Sequence, residues 1–206
     1  MICKTTRQIM FYQLGYYDKA FDGIWGKGSI AATKQFQKDY GLEIDGIYGE
    51  KTNKKLKSVH KKAMAGLMTA EDWKKIKNFT QSEIDCTCGC GYKKIYKQAI
   101  WNLQAMRHHL GVSIKVTSGG RCKKKNKAVG GATGSRHYNY GLGIKAFDWT
   151  SSLTKTLEQR KEVIDFWVNY MPGARYSYCN GYGNKNGKKS KPVANGMNKA
   201  VHSDIK

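Results

Sequence analysis

Acidic residues are scarce in this chain: 15 Asp and Glu stand against 37 Lys and Arg, a formal net charge of +22. A surface so charged seeks a polyanion, which points to nucleic acid, anionic lipid or an anionic cell wall. The lysines are spread along the chain rather than gathered in one arm, so a solvated surface is the competing reading of the charge. Long apolar runs are missing too. No stretch approaches the roughly 20 residues of a transmembrane helix, which excludes a helical membrane span. The opening residues, Met1 to Gln8, lack the charged start, apolar stretch and small-residue cleavage site of a signal peptide. The expectation is synthesis in a cytoplasm without a leader, with any action outside it following release.

A cysteine framework is also absent. Six cysteines in 206 residues made without a leader do not read as a disulfide scaffold. Cys86, Cys88 and Cys90 lie in Cys-Thr-Cys-Gly-Cys, while Cys3, Cys122 and Cys179 are scattered. Structural zinc sites use Cys-x2-4-Cys with a second pair downstream. Only Cys122 and Cys179 are available to complete such a set, and reduced structural thiols are the expectation.

What is present begins with a repeat. Phe21-Asp-Gly-Ile-Trp-Gly26 recurs as Ile44-Asp-Gly-Ile-Tyr-Gly49. Asp-Gly is a turn signal, and the second Gly of each copy can take positive φ. Helical patterns follow each copy, at about Ser29 to Tyr40 and Lys51 to Val59, with Ser29 and Thr52 as helix starts. In the first, Ile30, Ala31, Thr33 and Phe36 are expected to face inward. An opening helix from about Thr6 to Leu14 completes a three-helix unit ending near His60. Gln13-Leu-Gly-Tyr-Tyr, Asp22-Gly-Ile-Trp-Gly, Thr33-Lys-Gln-Phe-Gln and Gly41-Leu-Glu-Ile-Asp-Gly-Ile-Tyr-Gly make this segment resemble the peptidoglycan-binding domain of wall hydrolases. Trp25 and Tyr48, beside tight turns, are candidates to stack on a wall sugar or peptide. The alternative is that they are core aromatics.

Residues 61–77 read as a connector, with Met64, Leu67, Met68 and Trp73 on one helical stripe. A second domain follows over 78–206. Ile95, Ala99, Leu103 and Met106 share a face of a helix over Ile95 to Leu110, with Gly111 as C-cap. Ser113 to Thr117, Ile144 to Thr150 and Ala200 to Ile205 read as strands. Leu157 to Tyr170 reads as a helix with Val163, Phe166, Trp167 and Tyr170 inward. The fold class is α+β: a small three-helix N-terminal domain and a compact α+β domain with a small antiparallel sheet.

The chemistry concentrates between Thr117 and Trp149 and at the C-terminus. His137 sits on a Gly-rich loop, Asp148 ends a strand, and His202 lies on another. Two His and one Asp are a donor set for a zinc ion with a position left for water, which lowers the pKa of that water and polarises a carbonyl. His60, His108 and His109 stay ordinary histidines.

Thr117-Ser-Gly-Gly-Arg-Cys, Asn126-Lys-Ala-Val-Gly-Gly-Ala, Ser135-Arg-His, Ala146-Phe-Asp-Trp and Val201-His-Ser-Asp resemble the zinc D-Ala-D-Ala carboxypeptidase and L-alanyl-D-glutamate-type peptidase family, which includes phage endolysins. The resemblance implies Zn2+ on His137, Asp148 and His202, with Arg121 binding a substrate carboxylate or carbonyl and Ser135 bonding substrate or a neighbouring loop. It implies a peptidoglycan hydrolase; the missing leader favours one made in a host cytoplasm and acting on the wall after release, and the net charge of +22 favours anionic wall polymers as partners.

Two features depart from the family pattern. The step from His137 to Asp148 is eleven residues where the family has seven. Lys199 occupies the place of an acid in several relatives, three before the last His. Asp204, two after His202 and on the same strand face, is the nearest carboxylate and is expected as catalytic base or ligand orienter. The competing functions are a wall-binding protein whose longer loop has broken the site, and a nucleic-acid-binding protein using Lys123 to Lys127 and Asn184 to Lys191 as phosphate patches. The second leaves the repeat and the Gly-rich constellation unexplained, so nucleic acid is not an expected partner.

Overall fold

The computed structural model describes residues 1–192, 194 and 197–206. The chain divides into two units, Met1–Ala65 and Gly66–Lys206. Among the described residues no helix is long and apolar enough to cross a membrane.

The first unit is three helices, α1 (Lys4–Gln13), α2 (Lys27–Asp39) and α3 (Glu50–Ala63), around Phe11, Phe36, Leu56, Met10, Ala32 and Tyr48. Each copy of the repeat is a turn leading into a helix. The residue at positive φ is the first glycine of each copy, Gly23 and Gly46, whereas Gly26 and Gly49 are extended N-caps, a correction to the expected assignment. The helices therefore start two residues before Ser29 and Thr52. One buried glutamine holds each turn in the same way. Gln8 Nε2 donates to Asp22 Oδ1 at 2.9 Å while its Oε1 accepts from Gly23 N at 2.9 Å. Gln37 repeats this on Asp45 Oδ1 at 2.7 Å and Gly46 N at 2.9 Å. The inward stripe of α2 is Ser29, Ala32, Thr33, Phe36 and Gln37; Ile30 and Ala31 face solvent. The hydroxyls and amide lie inside because they bind the turns, so a polarity-based stripe is rotated.

The expected connector does not hang free. Residues 61–63 end α3, and Leu67 bridges to Tyr96, Met68 N bonds Ile95 O at 2.8 Å, and Asp72 pairs with Lys97 at 3.0 Å. The short helix α4 (Ala70–Trp73) carries a Thr69–Asp72 capping box, and α5 (Gln81–Ile84) follows.

The rest of this unit is built on an antiparallel six-stranded sheet in the order β1-β2-β6-β3-β4-β5. Its strands are β1 (Ile114–Ser118), β2 (Ala146–Ser151), β3 (Ala174–Cys179), β4 (Tyr182–Lys185), β5 (Lys188–Ser190) and β6 (Val201–Ile205). The hairpins β3–β4 and β4–β5 were not expected from the sequence. The helix α6 (Lys97–Leu110) is buried almost all round, with Ile100, Asn102, Gln104 and Ala105 inside as well as the expected Ala99, Leu103 and Met106; Gly111 caps it at φ 66°. A six-residue helix, α7 (Lys123–Ala128), occupies the basic run. The last helix, α8 (Leu157–Tyr170), packs on β3, β4 and β6 through Val163, Ile164 and Trp167, with Phe166 and Tyr170 only half-buried.

Strand alternation then sorts the two faces. Phe147, Trp149, Val201, Ser203 and Ile205 point into the core, where Trp149 Nε1 donates to Ser203 Oγ at 3.1 Å. Asp148, His202 and Asp204 point the other way.

Candidate metal centre

The site is built on one rung of the sheet. Ser118 of β1 pairs with Asp148 of β2, Asp148 with His202 of β6, and His202 with Tyr178 of β3. Directly opposed residues in an antiparallel pair have side chains about 5 Å apart, so register alone brings the Asp148 carboxylate to the His202 ring. His202 Nδ1 lies 2.8 Å from Asp148 Oδ1. The third member comes from a loop: His137 Nε2 is 3.2 Å from Asp148 Oδ1 and 3.2 Å from His202 Nδ1. The donor atoms of His137, Asp148 and His202 all lie within 4.8 Å of one another.

The eleven-residue step from His137 to Asp148 therefore does not break the constellation. The extra residues form a short 3-10 turn, Asn139–Gly141, with φ of 44°, 53° and 77° at Asn139, Tyr140 and Gly141. The chain re-enters the sheet through Lys145 N to Arg136 O at 3.0 Å, which returns Asp148 to the His137 side. Tyr140 and Leu142 stand exposed on this loop.

The outer contacts fix the donors. His137 Nδ1 donates to Gly119 O at 2.7 Å, which leaves Nε2 as the lone-pair nitrogen facing its partners. His202 Nε2 faces Asp204 Oδ2 at 3.5 Å. Asp204 is fully buried, ion-paired with Arg175 through both carboxylate oxygens and accepting from Tyr176 N at 3.0 Å. Of its two expected roles, this geometry favours orienting His202 over acting as a base. Tyr178 stacks on the His202 ring, 4.6 Å between centroids. Arg121 donates to Asp148 Oδ2 at 3.0 Å and to Ser118 Oγ at 2.9 Å, and its backbone N bonds His137 O at 3.0 Å.

Electrostatics follow from this packing. Burial would depress the His202 pKa, but the hydrogen bonds and charges of Asp148 and Asp204 outweigh it and push it up to about 9. At His137 burial wins, and its pKa lies below the ordinary value despite Asp148. Burial disfavours the Asp148 carboxylate too, yet the adjacent His137 and His202 hold its pKa well below the usual range. The same opposition, settled by His202 and Arg175, lowers Asp204. Two imidazoles and one carboxylate, each oriented by an outer partner, fit a zinc ion by donor type and by number.

These residues line a cleft of about 540 Å³ that also takes in Ser135, Arg136, Arg175, Tyr176 and Tyr178. Ser135 lines it half-buried, and Lys199 is exposed. Arg175 and Tyr178 escaped the sequence reading. The alternation in Arg175-Tyr-Ser-Tyr-Cys179 was the available signal for a strand, but nothing local linked it to His202.

Of the two aromatics expected to meet the wall, Tyr48 is buried and Trp25 half-buried. Tyr48 is 7% exposed, its hydroxyl on Asn53 Oδ1 at 3.2 Å, with the Arg7 guanidinium 4.3 Å from its ring centre. Trp25 packs edge-on against Tyr48 at 5.6 Å and is covered by Arg7 at 5.4 Å. Tyr48 belongs to the core of the first unit, and Trp25 packs half-buried against that core. His60 is likewise buried, its Nε2 2.6 Å from Gln13 Oε1, and burial lowers its pKa to about 4.

Comparison with known proteins agrees with this division. Residues 77–167 match the family described as Peptidase M15, and residues 6–56 match the one described as "Putative peptidoglycan binding domain". The first match includes His137 and Asp148 and stops before His202. The chain is 32% identical over 158 residues to a zinc D-Ala-D-Ala carboxypeptidase of Streptomyces albus G, covering 69% of this chain and 58% of that protein. It is 41% identical over 49 residues to a spore cortex-lytic enzyme of Oceanobacillus iheyensis, covering 24% of this chain and 18% of that one. The chain thus spans little more than half the length of the first of these relatives and about a fifth of the second. The chain therefore matches a Peptidase M15 domain over residues 77–167, preceded by a match to a peptidoglycan-binding domain over residues 6–56.

Proposed function

We propose that the protein is a zinc peptidoglycan hydrolase that cuts an amide bond in the stem peptide or cross-bridge of the wall, with the first unit holding it on its polymeric substrate. The observation that carries this reading is the convergence of His137, Asp148 and His202 at the floor of a cleft lined by arginines. The likeness to a zinc D-Ala-D-Ala carboxypeptidase and to a spore cortex-lytic enzyme supports the metal and the substrate class.

His137, Asp148 and His202 would hold the zinc. Bound there, it supplies Lewis-acid polarisation of a carbonyl and a water of lowered pKa. The chain's own residues do the rest. Gly119 O keeps His137 in the tautomer that presents Nε2, and Asp204, clamped by Arg175, fixes the His202 ring. Arg121 bridges Asp148 and Ser118 while lining the cleft, and its forked guanidinium suits a peptide carboxylate or carbonyl. Tyr178 stacks on one face of the His202 ring and helps hold its orientation. The net charge of +22 favours an anionic wall. Action on the wall after release from a host cytoplasm belongs to the same proposal, and cell fractionation before and after lysis tests it.

Purified walls incubated with the protein should lose turbidity and gain free amines, and both changes should vanish with a strong chelator or in His137→Ala. Mass analysis of the fragments separates release of a terminal D-Ala from internal cleavage. Hydrolysis that survives both treatments overturns the proposal.

A further inference from the structure

The described residues hold a second group of metal-type ligands, apart from the histidine site. Cys86, Cys88, Cys90 and Cys122 bring their sulfur atoms within 4.8 Å of one another. All four are free thiols. Cys86 Sγ and Cys88 Sγ are 3.3 Å apart, and Cys88 Sγ and Cys122 Sγ are 3.5 Å apart. A tetrahedral zinc with Zn–S near 2.3 Å has sulfur–sulfur edges of about 3.8 Å, so the four sulfurs are already spaced for one ion.

The backbone around them has the form such a site needs. Residues 85–92 contain no regular element, and Gly89 and Gly91 take φ of 73° and 70° on either side of Cys90, which folds Cys86-Thr-Cys-Gly-Cys90 into a tight knuckle. Backbone amides already point at sulfur: Cys122 N to Cys86 Sγ at 3.3 Å, and Lys125 N to Cys122 Sγ at 3.4 Å. Hydrogen bonds to sulfur accompany thiolate ligands and stabilise their charge. Four thiolates on a divalent ion leave two net negative charges. Lys93 and Lys94 follow the knuckle, and Lys123, Lys124 and Lys125 follow Cys122, supplying compensating charge. No hydrophobic core explains the group, since Cys88 and Cys90 are exposed.

We propose that Cys86, Cys88, Cys90 and Cys122 form a tetrathiolate site for a structural zinc ion that ties the 85–92 loop to the strand-end loop carrying Arg121. A closed four-sulfur site has no position for water, so its role is to hold the chain rather than to hydrolyse. The tie has a definite load. Gly120 N bonds Ile84 O at 2.7 Å, Gly119 O receives His137, and Arg121 precedes Cys122 directly. Pinning Cys122 to Cys86 keeps that loop against Ile84 and so fixes Arg121. The site does not depend on what the histidine site hydrolyses.

The test uses the full chain purified under reducing conditions without chelator. Elemental analysis should give two zinc ions per chain, and one for either Cys88→Ser or His137→Ala. Cobalt-substituted wild type and His137→Ala should both show the intense thiolate-to-cobalt charge-transfer absorption of a sulfur-ligated ion, and Cys88→Ser should lose most of it. Because Cys88 is exposed, the serine variant should keep its fold by circular dichroism; if it does not, the wild-type and His137→Ala spectra decide. A wild-type protein with no more than one zinc and no thiolate–cobalt absorption overturns the proposal. Disulfides among these four cysteines, mapped by alkylation and mass spectrometry, overturn it equally. Loss of wall hydrolysis with the cobalt–thiolate absorption intact would instead count against the hydrolase reading alone.

Discussion

Replacing Gly119 by Ala should damage the metal centre without touching any ligand. A Cβ built on Gly119 would lie 2.3 Å from Ile84 O, 2.8 Å from Ile84 C and 2.9 Å from its Cα. All three atoms are backbone, so no rotamer change relieves the clash. The loop must retreat by about 1 Å to reach ordinary contact near 3.4 Å. Two hydrogen bonds oppose that retreat, Gly120 N to Ile84 O at 2.7 Å and His137 Nδ1 to Gly119 O at 2.7 Å. Overpacking of this kind costs about 1–3 kcal/mol of stability. Displacing the outer partner of a metal-binding histidine lowers metal affinity by roughly 10- to 100-fold, or about 1.4–2.7 kcal/mol. Urea denaturation of the metal-free protein measures the first term. Zinc competition against a chelator of known affinity measures the second, with His137→Ala marking complete loss at that site. Unchanged zinc affinity in a variant that is measurably less stable would refute the claim that Gly119 O sets the His137 ring. Unchanged stability would refute the close approach itself.

Three further outcomes are expected. Asp204→Ala leaves Arg175 without its buried partner and should cost about 3–5 kcal/mol in urea denaturation, whereas Asp204→Asn, which keeps an acceptor for Tyr176 N, should cost less. His60 has a folded pKa of about 4, below its ordinary 6.5, so the neutral form stabilises the first unit above pH 6.5 and that stability drains away as pH falls toward 4; the loss is about 3 kcal/mol and should appear in thermal melts across that range and be absent in a folded His60→Gln variant. Tyr48→Phe should cost about 1 kcal/mol through the Asn53 hydrogen bond and leave binding to purified wall unchanged, because the ring is in the core; a selective loss of wall binding would reverse that assignment.

What the sequence determined by itself was whatever is written locally. The Asp-Gly repeat fixed two turns and the helices after them, since a turn residue and an amphipathic period act over a few neighbours. The Ser135-Arg-His, Ala146-Phe-Asp-Trp and Val201-His-Ser-Asp segments named the donors, and strand periodicity placed His202 and Asp204 on one face. Tertiary structure decided what depends on register and close approach. Only the β2–β6 pairing sets Asp148 opposite His202, and only β3, a strand with a weak local signal, brings Arg175 to Asp204 and Tyr178 to His202. The stripe of α2 turned because buried polar groups there serve hydrogen bonds rather than avoid water, which hydrophobic patterning does not register. The four cysteines show the same limit most plainly: three are adjacent in sequence, but the fourth is 32 residues beyond Cys90, and the fold alone selects Cys122 over Cys179.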